Sequence, residues 1–542
     1  MLLANEDFEH ERNAEIAHRA QPHKVMAFRR VYSSAVVGIN AITVEVEANV
    51  SPGIGMYLVG LPDSAVKESH ERIRSAFENS GLRMVGKKTI VNLAPADLKK
   101  EGSSLDLPIA IAMLAATEQV ANENIGEWVI MGELSLDGTV KPIKGALPVA
   151  IEALAKGFRG VILPKENADE AAVVEGLEVI GVGSLKEAVD FLNGDLHILP
   201  TKVATELLFV ERANRYGEDF SDVKGQEYVK RALEVAAAGG HNIVMIGAPG
   251  SGKTMLARRM PTIMPPLSLE EALETTKIHS VAGKLGSEKG LLTRRPFRAP
   301  HHLASAVAMV GGGSNPQPGE ISLAHNGILF LDELPEFGRS ILEVMRQPLE
   351  DKVVTVARAK YSVVYPANFM LVASMNPCPC GYYNHPTKEC NCSRYAVEKY
   401  INKISGPLMD RIDIQIEVTP VEYDQMQERQ PAEPSSAIRQ RVIAARERQQ
   451  RRFEGIEGVF TNAMMNSAMI AEFCPLDEQC SALLGRAMER LSLSARAYNR
   501  IIKVARTIAD LEGAEQINSS HIAEAIGYRN LDRENWGVKV ES

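Results

Sequence analysis

The sequence predicts an α/β fold followed by an all-helical region, and three patterns carry that prediction. Short β-branched strands alternate with helical spacing across residues 27–196 and again across 222–415, the mark of layered α/β structure. A glycine-rich turn joins an apolar strand to a helix at 243–260, the arrangement of a parallel sheet that binds ligands at its strand ends. From about residue 432 the strand pattern stops and helical periodicity takes over, with breaks near Gly455 and Pro475.

In chain order, residues 1–25 are polar and weakly periodic and form an N-terminal extension, with Met26 offering an alternative start. Alternation predicts strands within 36–50 and at 89–93, 129–131, 161–163 and 177–181. Helical spacing marks 63–80, 107–116, 144–156 and 185–192. These elements make one α/β domain over 26–196. Residues 197–221 lack periodicity and read as a linker. A helix at 226–238 opens the second domain, 222–415, whose buried strands fall at 242–246, 327–331 and 369–374. Residues 416–542 form a helical lid domain.

The chain has 542 residues, enough for three or four domains at roughly 150 residues each. With 45% hydrophobic and 24% charged residues it has the composition of an ordinary globular protein. Six cysteines in this length exclude a disulfide scaffold. No apolar run approaches the roughly 20 residues that a bilayer requires. The acidic start MLLANEDFEHERNAE has no apolar core of a secretory signal. The expectation is a cytoplasmic protein with reduced thiols and no membrane partner. A net charge of -9 argues against coating nucleic acid with the whole surface, but leaves room for a local basic groove or pore.

Residues 243–254, IVMIGAPGSGKT, place Gly247, Ala248, Pro249, Gly250, Ser251, Gly252, Lys253 and Thr254 in a phosphate loop, with Met255 starting the helix. Glycines let backbone N–H groups face a phosphate chain, and the helix N-terminus favours the anion. Lys253 suits the β- and γ-phosphates of ATP, and the Thr254 hydroxyl suits Mg²⁺. The apolar strand GILFLDE (327–333) ends in Asp332 and Glu333. At a sheet's carboxyl edge, Asp332 would hold Mg²⁺ and Glu333 would polarise the attacking water.

Four cysteines fall within 378–392, as Cys378-Pro-Cys380 and Cys390-Asn-Cys392. Such clustering in a reducing compartment favours metal over disulfide, and four thiolates suit a structural Zn²⁺; free thiols in a surface loop are the alternative. Cys474 and Cys480 read as core thiols. The run VVTVARAKYSVVYP (353–366) reads as a hairpin with a basic tip at Arg358 and Lys360. RRPFRAPHH (294–302) carries three arginines but reads as a structural or pore loop. AIRQRVIAARERQQRR (437–452) reads as a solvated helix.

Together these segments resemble the AAA+ ATPases, and within them the magnesium-chelatase-like branch that contains the YifB/ComM family. RPFRAPHH (295–302), GEISLAHNGILFLDELPEF (319–337), NPCPCG (376–381) and SGPLMDRID (405–413) carry the narrower likeness, which runs from Met26 nearly to the end of the chain. It implies an AAA+ P-loop parallel-sheet ATPase core with a C-terminal helical lid. It also implies sensor 1 at Asn376, an arginine finger at Arg411 serving a neighbour's ATP, and sensor 2 at Arg496. A finger acting between subunits implies a homo-hexameric ring. In this branch the hairpin at 353–366 lines the pore, so Arg358 and Lys360 would meet DNA phosphates. The family implies an ATP-driven motor on single-stranded or branched DNA, with other recombination proteins as partners. A chelatase motor subunit and an ATP-dependent protease are the rival readings.

The segments KKEGSSLD (99–106) and 132–166 resemble the proteolytic domain of Lon proteases, giving a Lon-protease-like α/β domain. Ser104 matches the nucleophile, but Leu147 stands where the likeness requires a lysine. Leucine cannot take a proton, and Lys144 is three residues off register. A Lon-like domain without peptidase activity is the expectation.

Overall fold

The computed structural model describes residues 28–121, 123–205, 209, 216–285, 290–313, 316–357, 362–383, 385, 387–421, 432–491 and 493–529. The N-terminal extension and Met26 lie outside the described residues, as do Arg358 and Lys360. Two units divide at Ala204 and Thr205, and the short segment Gly283–Gly290 groups with the first.

In the first unit, alternating β-branched residues give a long hairpin, Arg29–Val37 paired antiparallel with Asn40–Ser51. Gly38, at φ +63°, takes the left-handed conformation that this tight reversal needs. The full sheet has seven strands in the order Met56–Val59, Lys88–Ala94, Asn40–Ser51, Arg29–Val37, Trp128–Ile130, Gly160–Pro164, Glu178–Val182. Helix Asp106–Ala116 is apolar all round after its first residue, and every one of its residues is buried. Its buried Asp106 is tolerated because Arg72 donates to both carboxylate oxygens, at 2.7 and 2.9 Å.

In the second unit, short continuous apolar runs form the three inner strands of a parallel sheet, buried on both faces. Its order is Phe297–Arg298, Ile328–Leu331, Met370–Met375, Ile243–Ile246, Ile414–Glu417. In chain order that is second, third, fourth, first, fifth. All four pairings are parallel, so the carboxyl ends of the strands share one edge. Both outer strands escape the sequence reading: Phe297–Arg298 is only two residues long, and Ile414–Glu417 alternates apolar with polar where the inner strands are continuously apolar. The last one carries the sheet past position 415.

The C-terminal helices are continuous with this core. Ser435–Arg452 and Ala495–Glu512 pack with Glu227–Gly239, and their apolar residues join the sheet's in a single cluster. The solvated-helix expectation for 437–452 fails for that reason. Arg439 donates to the Thr262 carbonyl, Arg446 to that of Ala237 and Arg448 to that of Asp510. Arg452 forks onto the buried Asp510 carboxylate at 2.8 and 2.5 Å. These arginines fasten the helix to its neighbours. Cys474 and Cys480 are buried in the helical region, as expected.

Candidate nucleotide site

Strand Ile243–Ile246 is wholly buried and delivers the chain to Gly247. A Cβ there would lie 2.3 Å from the Val418 carbonyl oxygen, so only glycine fits between the two strand ends. Gly250 and Gly252 follow at φ +81° and +89°, and helix Lys253–Ile263 begins at once. The backbone therefore curls at a helix N-terminus, as an anion site requires. Pro249 and Gly250 form its exposed crest, while Ala248, Ser251 and Lys253 are buried. Thr254 and Met255 are on the exposed side of the first turn.

Lys253 turns its ammonium back into the loop. Its Nζ donates to the carbonyls of Gly247 (2.7 Å) and Ala248 (3.0 Å) and to Oδ1 of Asn376 (3.4 Å). Burial lowers its pKa, opposed by the charges of Asp332 and Glu333. Neutral carbonyls are weak partners for a buried ammonium, and a phosphate chain would replace them with full charge.

The parallel register puts Asp332, Glu333 and Asn376 on the same edge as the loop. Thr254 Oγ1 donates to Asp332 Oδ2 at 2.9 Å, and Ser374 Oγ donates to Asp332 Oδ1. A hydroxyl and a carboxylate in contact are an oxygen pair suited to Mg²⁺, which prefers one or two carboxylates plus water and phosphate. Glu333 has φ +55°, a strained conformation for glutamate, where the chain leaves the strand. A cavity of about 360 Å³ opens there, lined by Thr254, Arg258, His301, His302, Asp332 and Glu333.

Two contributors to this edge were not legible in the sequence. Ser374 orients Asp332 from the next strand, and His302 holds its Nδ1 3.6 Å from a Glu333 oxygen. The signal for His302 was strand Phe297–Arg298, which is too short to register. Arg295 and Arg298 of the same segment are taken up internally. Arg295 bonds the carbonyls of Pro265, Pro266 and Asn326 and the Glu271 carboxylate. Arg298 forks onto Glu320, both bonds at 2.7 Å.

Arg411 and Arg496 stand elsewhere. Ile414 pairs with Ile243, so Arg411 precedes the sheet at its amino edge, opposite the phosphate loop. It is mostly buried and pairs with Glu350 and the Pro407 carbonyl. Arg496 is exposed on helix Ala495–Glu512 and bonds Asp410 at 3.0 Å. One turn further along, Arg500 pairs with Asp413, which also meets His241 at 3.3 Å. The structure thus brings Arg496 beside Arg411 and not to the Lys253 pocket of its own chain.

Cys378, Cys380, Cys390 and Cys392 converge, with all four sulfurs within 4.8 Å of one another and none in a disulfide. The closest Sγ pairs are 3.3, 3.5 and 3.7 Å. A zinc tetrahedron with arms of about 2.3 Å has edges of about 3.8 Å, so the thiols already lie near ligand spacing. Against the burial that would raise it, the Tyr382 N–H and the Cys378 thiol bring the Cys380 thiol down to about 6. Burial pushes Cys390 up to about 12.

In the first unit, Ser104 is half-buried and Leu147 is fully buried, its N–H bonded to Glu170. Lys144 is exposed.

A five-stranded parallel sheet in this order, with a phosphate loop after its first strand and an Asp-Glu pair after its third, defines the nucleotide-binding core of an AAA+ protein. Comparison with known proteins narrows the class. Residues 219–426 match the family profile for magnesium chelatase subunit ChlI, 46–167 match a further ChlI profile, and 432–529 match the ChlI C-terminal profile. The chain is 44% identical over 512 residues to the uncharacterized protein YifB of Escherichia coli (strain K12), covering 94% of this chain and 98% of the relative. It is 43% identical over 514 residues to competence protein ComM of Haemophilus influenzae, again covering 94% and 98%. A shorter similarity, 28% over 128 residues, covers 23% of this chain and 23% of Lon protease 2 of Bacillus subtilis. The chain belongs to the YifB/ComM family of magnesium-chelatase-like AAA+ proteins.

Among the described residues no helix is long and apolar enough to cross a membrane.

Proposed function

We propose that the protein is an ATP-driven motor that works as a homo-hexameric ring on single-stranded or branched DNA. The observation that carries this reading is the gathering of Lys253, Thr254, Asp332, Glu333 and Asn376 on one sheet edge, with Arg411 on the other. On this reading Lys253 and the N–H groups of residues 247–254 bind the phosphates of ATP. Thr254 and Asp332 would hold Mg²⁺, which supplies charge neutralisation on the transferring phosphoryl group. Glu333 takes a proton from the attacking water, and Asn376 orients that water. Arg411 lies too far from its own loop to assist, so it serves a neighbour's ATP, with Arg496 beside it. A finger acting in trans needs a head-to-tail interface, and such an interface generates a ring when its rotation closes.

Similarity to a competence protein supports a place for this chain in competence. Branch migration of recombination intermediates during natural transformation is the activity we assign, alongside other recombination proteins. Hairpin Val353–Ala357 and Ser362–Pro366 supports a pore contact at its tip. The cysteine cluster is assigned a structural zinc. The first unit is assigned a Lon-like fold without peptidase activity, because Leu147 is buried apolar surface where a proton acceptor would be required.

A second reading is favoured by the profile matches and by 28% identity over 164 residues to the magnesium-chelatase 67 kDa subunit of Chlorobaculum parvum. It makes the protein a remodelling or chelatase motor. ATP hydrolysis by purified protein, with and without a branched DNA and beside Lys253→Ala, separates the two. Stimulation by DNA that Lys253→Ala abolishes supports the DNA motor. Hydrolysis indifferent to DNA overturns it and favours the second reading.

A further inference from the structure

We propose that the four-cysteine knuckle is a positioning element of the nucleotide site, so that its metal sets the affinity for ATP and ADP. The inference rests on the nucleotide and zinc readings above. Its geometry begins at strand Met370–Met375, which hands the chain to Asn376 and then, two residues on, to Cys378. Cys378, the deepest of the four thiols, accepts the Gly381 N–H on its carbonyl at 3.0 Å and closes a tight turn.

Gly381 then sits between the phosphate loop and Asn376. A Cβ on it would lie 2.6 Å from Cδ and 2.8 Å from Cγ of Pro249, and 3.9 Å from Cγ of Asn376. Its φ of +83° fixes this approach. Pro249 immediately precedes Gly250, and Asn376 accepts from Lys253. The turn that carries the first two cysteines and ends at Gly381 is therefore packed directly on the loop that would hold phosphate and on the side chain that meets its lysine.

Among the described residues, the apolar core of the knuckle is small. Its hydrophobic cluster contains, beyond the cysteines, Tyr383 and Val397 as buried members among the described residues, with Ile401 partly buried. So small an apolar core does not fix a loop against its own conformational entropy. A metal cross-link between 378–380 and 390–392 does, because its binding energy is spent on ordering the segment. Zinc held by the four thiolates would pin the Gly381 turn, and the turn would pin Pro249 and Asn376.

The test uses the full chain. Zinc is counted by release to a colorimetric chelator. Affinity for a fluorescent ADP is then measured in excess Mg²⁺, before and after stripping with a phenanthroline, which spares Mg²⁺. The variants are Gly381→Ala and Gly381→Asn; asparagine tolerates left-handed backbone better than alanine, so its effect reports chiefly the added atoms. The expected result is about one zinc per chain and at least a tenfold rise in the ADP Kd on stripping, reversed by added zinc. Gly381→Asn keeps its zinc and its unfolding temperature, yet shows a comparable rise in Kd and a lower kcat. A general loss of fold would instead lower the number of binding sites at unchanged Kd. Unchanged ADP affinity in stripped protein, or in zinc-loaded Gly381→Asn, overturns the proposal and leaves the zinc reading standing. Wild-type protein without zinc defeats the zinc reading and the proposal with it, whereas wild-type protein that binds no ADP defeats the nucleotide reading.

Discussion

If Arg411 completes a neighbour's site, two dead variants should rescue each other. Strand Ile243–Ile246 has four residues, so at ~3.3 Å each it separates the two edges of the sheet by about 13 Å. Arg411 lies beyond the amino edge and Lys253 beyond the carboxyl edge. No rotamer of Arg411 reaches its own loop. Arg411→Ala should slow hydrolysis roughly 1,000-fold or more, the usual worth of an arginine finger. It should cost only about 1 kcal/mol of stability, because the Glu350 side chain it abandons is 59% exposed and returns to water. Lys253→Ala should be equally inactive. In a mixed ring, each interface draws its loop from one subunit and its finger from the next. Equal mixing completes about a quarter of the interfaces if subunits assemble at random. Steady-state hydrolysis across mixing ratios should rise from near zero at both ends to about a quarter of the wild-type rate at the midpoint. A mixture that co-assembles but hydrolyses no faster than its parents would refute the trans assignment, as would an Arg411→Ala protein with wild-type activity.

Three further expectations concern Asp413, the first unit and the hairpin tip. Burial works to raise the Asp413 carboxyl, yet Arg500 and His241 hold it far below the ordinary aspartate value. A depressed folded-state pKa gives stability that is whole above the unfolded value of about 4 and is lost as pH falls below it. Asp413→Asn should therefore cost about 3 kcal/mol at pH 7, measured by denaturant unfolding, with the gap to wild type narrowing in acid; a gap that widens in acid would contradict the pairing. Serine-hydrolase probes should leave Ser104 unlabelled, and Leu147→Lys should lower stability by about 3 kcal/mol without creating peptidase activity, because it forces an ammonium into a fully buried site. Labelling of Ser104 in the wild type would contradict the inert assignment. Replacing Arg358 and Lys360 together by alanine should reduce the slope of log affinity for DNA against log salt by about 2, and an unchanged slope would remove both from the phosphate contacts.

Much of the chemistry was written locally. A phosphate loop is a run of contiguous residues whose glycines are required by backbone conformation, so Gly247 to Thr254 could be read without knowing what lies beside them. The Asp332–Glu333 pair was legible for a similar reason, since an apolar strand that ends in acid marks a sheet edge. The cysteine cluster was legible because thiolate spacing is itself a chemical pattern. By contrast, 437–452 misled: its arginines suggest a solvated face, and in the structure several of them are spent on the carbonyls and carboxylates of neighbouring helices. Composition cannot distinguish a guanidinium in water from one that caps a carbonyl.

The sequence by itself determined which residues have the chemistry to hold a nucleotide and a metal, because those requirements are met within a few residues of chain. Only the tertiary structure decided which of them meet. Strand order and register put Asn376 against Lys253 across more than a hundred residues, set His302 facing Glu333, and sent Arg411 and Arg496 together to the far edge. They also laid the cysteine turn on Pro249. Pairings of that kind depend on which strands lie side by side, and that choice is made by the burial of the whole sheet and not by any segment within it.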